Sequence, residues 1–142
     1  MANKWSITFY EDGQGRRPVE KWIDGLSDQK AQAVFVALRE LLAVNGIGLA
    51  SSSWLKALGG GLYEFRIRHT KTQIEQMYKA ANKDLDARAE PILLRVFVAF
   101  DGEQVIVLLG AYDKGKNDKQ SFQQTQIEVA RKRLREWNRR KA

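Results

Sequence analysis

The chain contains no cysteine. That excludes a disulfide scaffold and a thiolate metal site, and it fits a reducing cytosol. A single histidine, His69, leaves no basis for a histidine-rich metal centre. The sequence reads without an apolar run long enough to span a bilayer, and the opening "MANKWSITFY" lacks the basic-then-apolar pattern of a signal peptide. The expectation is a cytoplasmic protein with no membrane association, no metal and no cofactor. Acidic residues are also few beside basic ones, 17 against 24, which leaves a net charge of +7.

What is present is unevenly placed. The final stretch "RKRLREWNRRKA" holds Arg131, Lys132, Arg133, Arg135, Arg139, Arg140 and Lys141 against Glu136 alone, so nearly all the excess charge sits there. Such a cluster suits a polyanion or an acidic protein partner. It equally suits a solvated helix end, where cations favour the negative pole of the helix dipole.

The 142 residues and their ordinary apolar content suit one domain with a real core. "KWSITFY" alternates and is rich in aromatic and β-branched residues, so it predicts a strand. After the turn "EDGQGRR", Pro18 suits a first helical position. Ser27 or Asp28 can cap a second helix running to about Asn45, with Val34, Leu38, Leu41 and Leu42 as its buried stripe. "SWLKALGGG" predicts a short extended piece, then a turn into "LYEFRIRH". In that strand Tyr63, Phe65 and Ile67 share one face, and Glu64, Arg66 and Arg68 the other. The segment from 70 to 90 breaks the pattern; Ile74, Met77, Tyr78 and Leu85 are spaced for an amphipathic helix. "PILLRVFVAF" and "QVIVLLGAY" predict two further strands joined by "DGE". A last helix is expected from about Ser121 to Arg140, burying Ile127, Ala130, Leu134 and Trp137. Helices and strands segregate, so the class is α+β, with a mainly antiparallel sheet.

Arg95 is the most informative residue, because it is the only polar side chain in an otherwise apolar strand. A buried arginine is costly unless paired or facing a cleft. One reading is an ion pair with Glu64 across the sheet; the other is a fixed guanidinium for phosphate. Arg66 and Arg68 share a facing on the preceding strand, and "YDKGK" adds Tyr112, Lys114 and Lys116. Trp5, Trp22, Trp54 and Trp137 read mainly as core, with Trp54 a candidate for stacking on a base.

Taken in order, "LYEFRIRH", "ILLRVFVAFDGEQVIVLLGAYDKGKND" and "IEVARKRLREW" resemble the RelE/ParE toxin superfamily, and within it the HigB-like, phage-derived branch. That branch shows a strand of the type "LWELRIR", a strand "YRVFY", a strand "VVLLHGF" followed by lysines, and a C-terminal "EIERAR" helix. The resemblance covers about residues 54 to 137. It implies two N-terminal helices packed on a twisted, mainly antiparallel sheet, with a C-terminal helix, in one domain carrying an insertion at about 70–90.

The resemblance further implies a toxin of a type II toxin–antitoxin system, a metal-independent endoribonuclease that cuts mRNA on the ribosome. Its partners would be the ribosome, mRNA and a cognate helix-turn-helix, HigA-like antitoxin. By motif position the catalytic residues would be Arg66, Arg95 and Lys114. Arg68, Tyr112 and Lys116 would contact nucleic acid beside them; Arg135, Arg139 and Arg140, read from the charge of the tail, would point to solvent and dock on rRNA phosphates or an acidic antitoxin. Lys114 or Lys116 would serve as acid or phosphate ligand, and Glu64, His69 and Tyr112 are the candidate bases. This chain has Gly110-Ala111-Tyr112 where many relatives have "HGF", and Lys114-Gly115-Lys116 where they have two adjacent lysines. The alternatives are a ParE-like gyrase inhibitor and a non-catalytic nucleic-acid or antitoxin-binding domain of a decayed phage gene.

Overall fold

The computed structural model describes residues 4–69, 92–102 and 104–141, with the side chain of His69 excepted. The insertion at 70–90 and its expected helix lie outside the described residues.

Strand β1 (Ser6–Phe9) leads through a turn into α1 (Pro18–Asp24). Pro18 sits in the first turn, where no backbone N–H is required. Helix α2 (Asp28–Val36) is capped as the sequence predicts, with Ser27 Oγ accepting from the Lys30 amide at 3.3 Å. The helical path continues as a π-helical segment, Ala37–Leu42, one α turn, Ala43–Asn45, and a 3₁₀ segment, Gly46–Ser51. Val34, Leu38 and Leu42 of the predicted stripe are buried, and Leu41 packs against them part-exposed.

Here one expectation is corrected. By length and apolar composition alone, the helical stretch Asp28–Ser51 does meet the requirement for crossing a bilayer. Arg39 and Glu40, exposed and paired with each other, interrupt the run in the sequence. In the fold this stretch is a core helix, with Val34, Ala37, Leu38 and Leu42 packed against the sheet.

The remaining elements are β2 (Leu55–Gly59), β3 (Leu62–His69), β4 (Ile92–Asp101), β5 (Val105–Asp113) and α3 (Gln120–Lys141). The five strands form one sheet in the order β1-β5-β4-β3-β2. The β2–β3, β3–β4 and β4–β5 ladders are antiparallel, while β1 joins β5 in parallel. The α+β class, the N-terminal helical layer and the C-terminal helix are as expected; the parallel edge strand is the addition.

Each face of the sheet carries its own core. Phe65, Ile67, Leu94, Val96, Val98, Ile106 and Leu108 face α1 and α2. Leu62, Phe97, Ala99, Val107 and Leu109 face Ile127, Ala130 and Leu134 of α3. Full burial of one such phenylalanine or leucine contributes about 1.5–3 kcal/mol. Phe97 pairs with Gly110 and Val98 with Leu108, so Leu109 is an extra residue, a β-bulge. Leu109 belongs to the α3-side core, and a side chain on Gly110 would meet Phe97, Ala130 and Arg133 on that same side. The alternation therefore shifts phase. Ala111 turns to the α1–α2 side and Tyr112 to the α3 side.

Candidate functional site

That phase shift builds the site. With Tyr112 turned toward α3, the register sets Arg66 of β3 opposite Arg95 of β4, and Arg95 opposite Tyr112 of β5. Three predicted residues thus form one row across three strands. One row toward the Asp101 end of β4, Glu64, Phe97 and Gly110 align. One row the other way, Arg68 pairs with Leu93, whose carbonyl accepts from the Lys114 amide at 2.9 Å.

Glu64 organises the row. Its carboxylate is fully buried and accepts from Arg66 Nε at 2.9 Å, while Arg95 Nε stands 3.6 Å away. On its other oxygen it accepts from Gln123 Nε2 at 3.2 Å. The ion pair weighed for Arg95 in the sequence is therefore present, shared with Arg66. At 3.6 Å the Arg95 contact is an ion pair without a hydrogen bond, and Arg95 Nε has no hydrogen-bond partner. Its Nη1 donates to the Leu94 carbonyl at 3.3 Å. Burial pulls the Arg95 pKa below its ordinary value, and Glu64 opposes that shift.

Tyr112 is 3 % exposed. It stacks on Phe97 at 6.0 Å and meets Phe122 of α3 edge-on at 5.6 Å. Its hydroxyl is buried and has no hydrogen-bond partner. Burial first, then Glu64, raises its pKa, so at neutral pH the phenol is a proton donor and a poor base. Glu64, already accepting from Arg66 and Gln123, is equally unsuited to abstracting a proton. The side chain of His69 lies outside the described residues.

The site is covered at one end and open at the other. The first turn of α3 puts Phe122 on Tyr112 and Gln123 on Glu64. Arg95, 4 % exposed, lies beneath the surface with Tyr112, whereas Arg66 keeps a quarter of its side chain exposed. Leu93 and Arg68 are exposed. Arg68 Nη2 donates to the Ser53 carbonyl at 3.2 Å, and a cleft of about 210 Å³ there is lined by Ser53, Trp54, Arg66 and Arg68. Lys114, half-buried, follows β5 directly; Lys116 is exposed, held by a turn in which its amide donates to the Asp113 carbonyl.

The cations of the basic C-terminal helix divide into two sets, although Arg135, Arg139 and Arg140 are all exposed. Arg131 donates to the carbonyls of Leu58 and Gly59, and Arg133 to that of Leu109 at 2.8 Å. Arg140 is bonded to the Glu11 carbonyl and to Glu136 and lies 5.5 Å over the Tyr10 ring; Lys141 is paired with Asp101. These four fasten α3 to the sheet and the β1–α1 turn. Lys132, Arg135 and Arg139, spaced along one face, line a shallow surface groove with Asn138. Arg140, expected to contact nucleic acid, sits among the fastening set, because Glu136 lies one helical turn before it and Tyr10 faces both.

Glu64 was legible as a pairing partner, sitting two residues before Arg66 on the same strand face. Gln123 and Phe122 gave no signal, since their role depends on where α3 lands. No family model, no curated protein and no solved structure matches this chain.

Proposed function

We propose that this chain is the toxin of a type II toxin–antitoxin system of the RelE/HigB kind, a ribosome-dependent mRNA endoribonuclease. The observation that carries the reading is the aligned row of Arg66, Arg95 and Tyr112, with Arg68 and Lys114 at its open end. Cleavage by 2′-hydroxyl attack develops negative charge on a pentacoordinate phosphorus, and rigidly placed cations stabilise it without reorganising. Two arginines against one buried carboxylate leave the row one positive charge in excess, which an incoming phosphodiester balances. Lys114 or Lys116 supplies the proton for the departing 5′-oxygen. With Glu64 committed and Tyr112 held protonated, no described residue of the row suits the role of base. Such a set depends on the ribosome to orient the attacking hydroxyl. A cognate helix-turn-helix antitoxin is the proposed partner, and the cytoplasm the proposed compartment.

The test is induced expression of the chain alone, followed by amino-acid incorporation and mapping of mRNA ends. Arrest of translation with new cleavage sites on ribosome-bound message is expected. Unchanged protein synthesis with the chain abundantly present would overturn the proposal. The burial of Arg95 and Tyr112 favours a second reading, a non-catalytic nucleic-acid or antitoxin-binding domain. On that reading the chain binds RNA without cutting it.

A further inference from the structure

Beside the arginine row, and sharing Tyr112 and Lys116 with it, is a groove of about 490 Å³ between α1, the end of β5 and the first turns of α3. Its walls are aromatic: Trp22 comes from α1 and Phe122 from α3. Lys21 and Lys116 line it, and Asn117 and Gln126 bring two side-chain amides. Its acidic member, Asp113, is neutralised by Lys30 at 2.6 Å. The groove exists because β1 pairs with β5 only from Val105 to Leu108. Past Leu108, among the described residues, no strand covers the outer edge of β5. Tyr112 lines the groove and is also the register partner of Arg95, so groove and row adjoin.

We infer that this groove is a nucleotide subsite for single-stranded RNA, holding the base adjacent to the phosphate that meets the arginine row. Flat aromatic walls stack any base, and amides can bond a base edge. Lysines at the mouth meet the flanking phosphate as point charges. A groove with two lysines and a neutralised carboxylate has a positive field, and Lys116, two residues past Lys114, links it to the open end of the row. The inference rests on the RNA reading for its ligand, and it is testable without the ribosome or cleavage.

The experiment measures binding of a labelled single-stranded oligoribonucleotide to the full chain by fluorescence anisotropy, across a salt series. Trp22→Leu and Phe122→Leu should each weaken binding at least about fivefold, the lower range for loss of one stacking partner. Lys116→Ala, which removes an exposed side chain, should weaken binding and flatten the log–log salt slope by about 0.7. If Trp22→Leu lowers the melting temperature sharply, Phe122→Leu and Lys116→Ala decide. Unchanged affinity in those variants overturns the subsite. So does tight binding of an acidic peptide that the same variants abolish while the oligoribonucleotide binds equally to all. If the wild-type chain arrests translation but the groove variants bind normally, the subsite falls and the toxin reading stands. If translation is untouched but the variants lose the oligoribonucleotide, the subsite stands and the toxin reading falls.

Discussion

Removing Glu64 and removing Arg95 are different acts, though both break the same contact. Glu64 is fully buried and serves two guanidinium groups, so Glu64→Gln leaves Arg95 buried beside a second cation with nothing to balance either. Stranding a buried charge costs about 3–5 kcal/mol, and this variant should lose stability in that range in urea unfolding. Arg95→Met leaves Glu64 with Arg66 at 2.9 Å and Gln123 at 3.2 Å, and it fills the space with an apolar chain. Its cost should be under about 1.5 kcal/mol, while any cleavage activity disappears. Equal costs would mean that Arg66 does not hold Glu64 as drawn. Arg95 was conspicuous in the sequence because a lone charge in an apolar strand has few explanations. The full burial of Glu64 was not, because it depends on Gln123, which lies 59 residues away.

At the scale of the elements, α3 is fastened at its far end by polar contacts that titrate. Asp101 pairs with Lys141 and accepts from Trp137 Nε1 at 2.8 Å. Those two partners, Lys141 first, hold its carboxyl below the usual range. Between the folded value and the unfolded value of about 3.9, the unfolded chain binds more protons, so stability rises with pH there. The contribution is present above about pH 3.9 and is lost as pH falls through the lower folded value. Hydrogen exchange at the Trp137 indole should accelerate over that acid window, and Asp101→Asn should remove the acceleration. A second prediction concerns Gly46, where the α-helical part of the path ends and the 3₁₀ segment begins. Gly46 has φ +53, and a side chain there would stand 2.1 Å from Trp5 Nε1. Gly46→Ala should destabilise by about 1–3 kcal/mol, seen as a lower thermal midpoint and altered tryptophan emission. Asn45-Gly46 was readable as a stop from local chemistry alone. The bulge at Leu109 was not: nothing in "VIVLLGAY" announces an extra residue except the glycine beside it. The parallel pairing of β1 likewise has no local signature, because it joins segments about a hundred residues apart through side chains that suit either edge.

Across the whole molecule, the surplus positive charge is less freely available than its count implies. Four of the seven terminal cations are tied to the protein itself: Arg131 and Arg133 to the carbonyls of Leu58, Gly59 and Leu109, and the exposed Arg140 and Lys141 to Glu11, Glu136 and Asp101. A guanidinium or ammonium held in place by the protein is not free to meet an arriving polyanion, so the tail's share of the electrostatic footprint should reduce to Lys132, Arg135 and Arg139. These three lie at i, i+3 and i+7, one stripe on a helix whose opposite face, Ile127, Ala130 and Leu134, is packed on the sheet. Replacing all three with glutamine should weaken association with ribosomes and flatten its log–log salt dependence by about 2–3 units, at about 0.7–0.9 per phosphate contact. The rate at saturating ribosome should hold, because charges remote from the scissile bond contribute uniform binding. Arg140→Gln should behave oppositely: little change in salt slope, but a lower melting temperature from the lost contacts to Glu136, Tyr10 and the Glu11 carbonyl. A salt slope that responds to Arg140 and ignores the stripe would place the docking face near the β1–α1 turn, where Arg140 meets the Glu11 carbonyl.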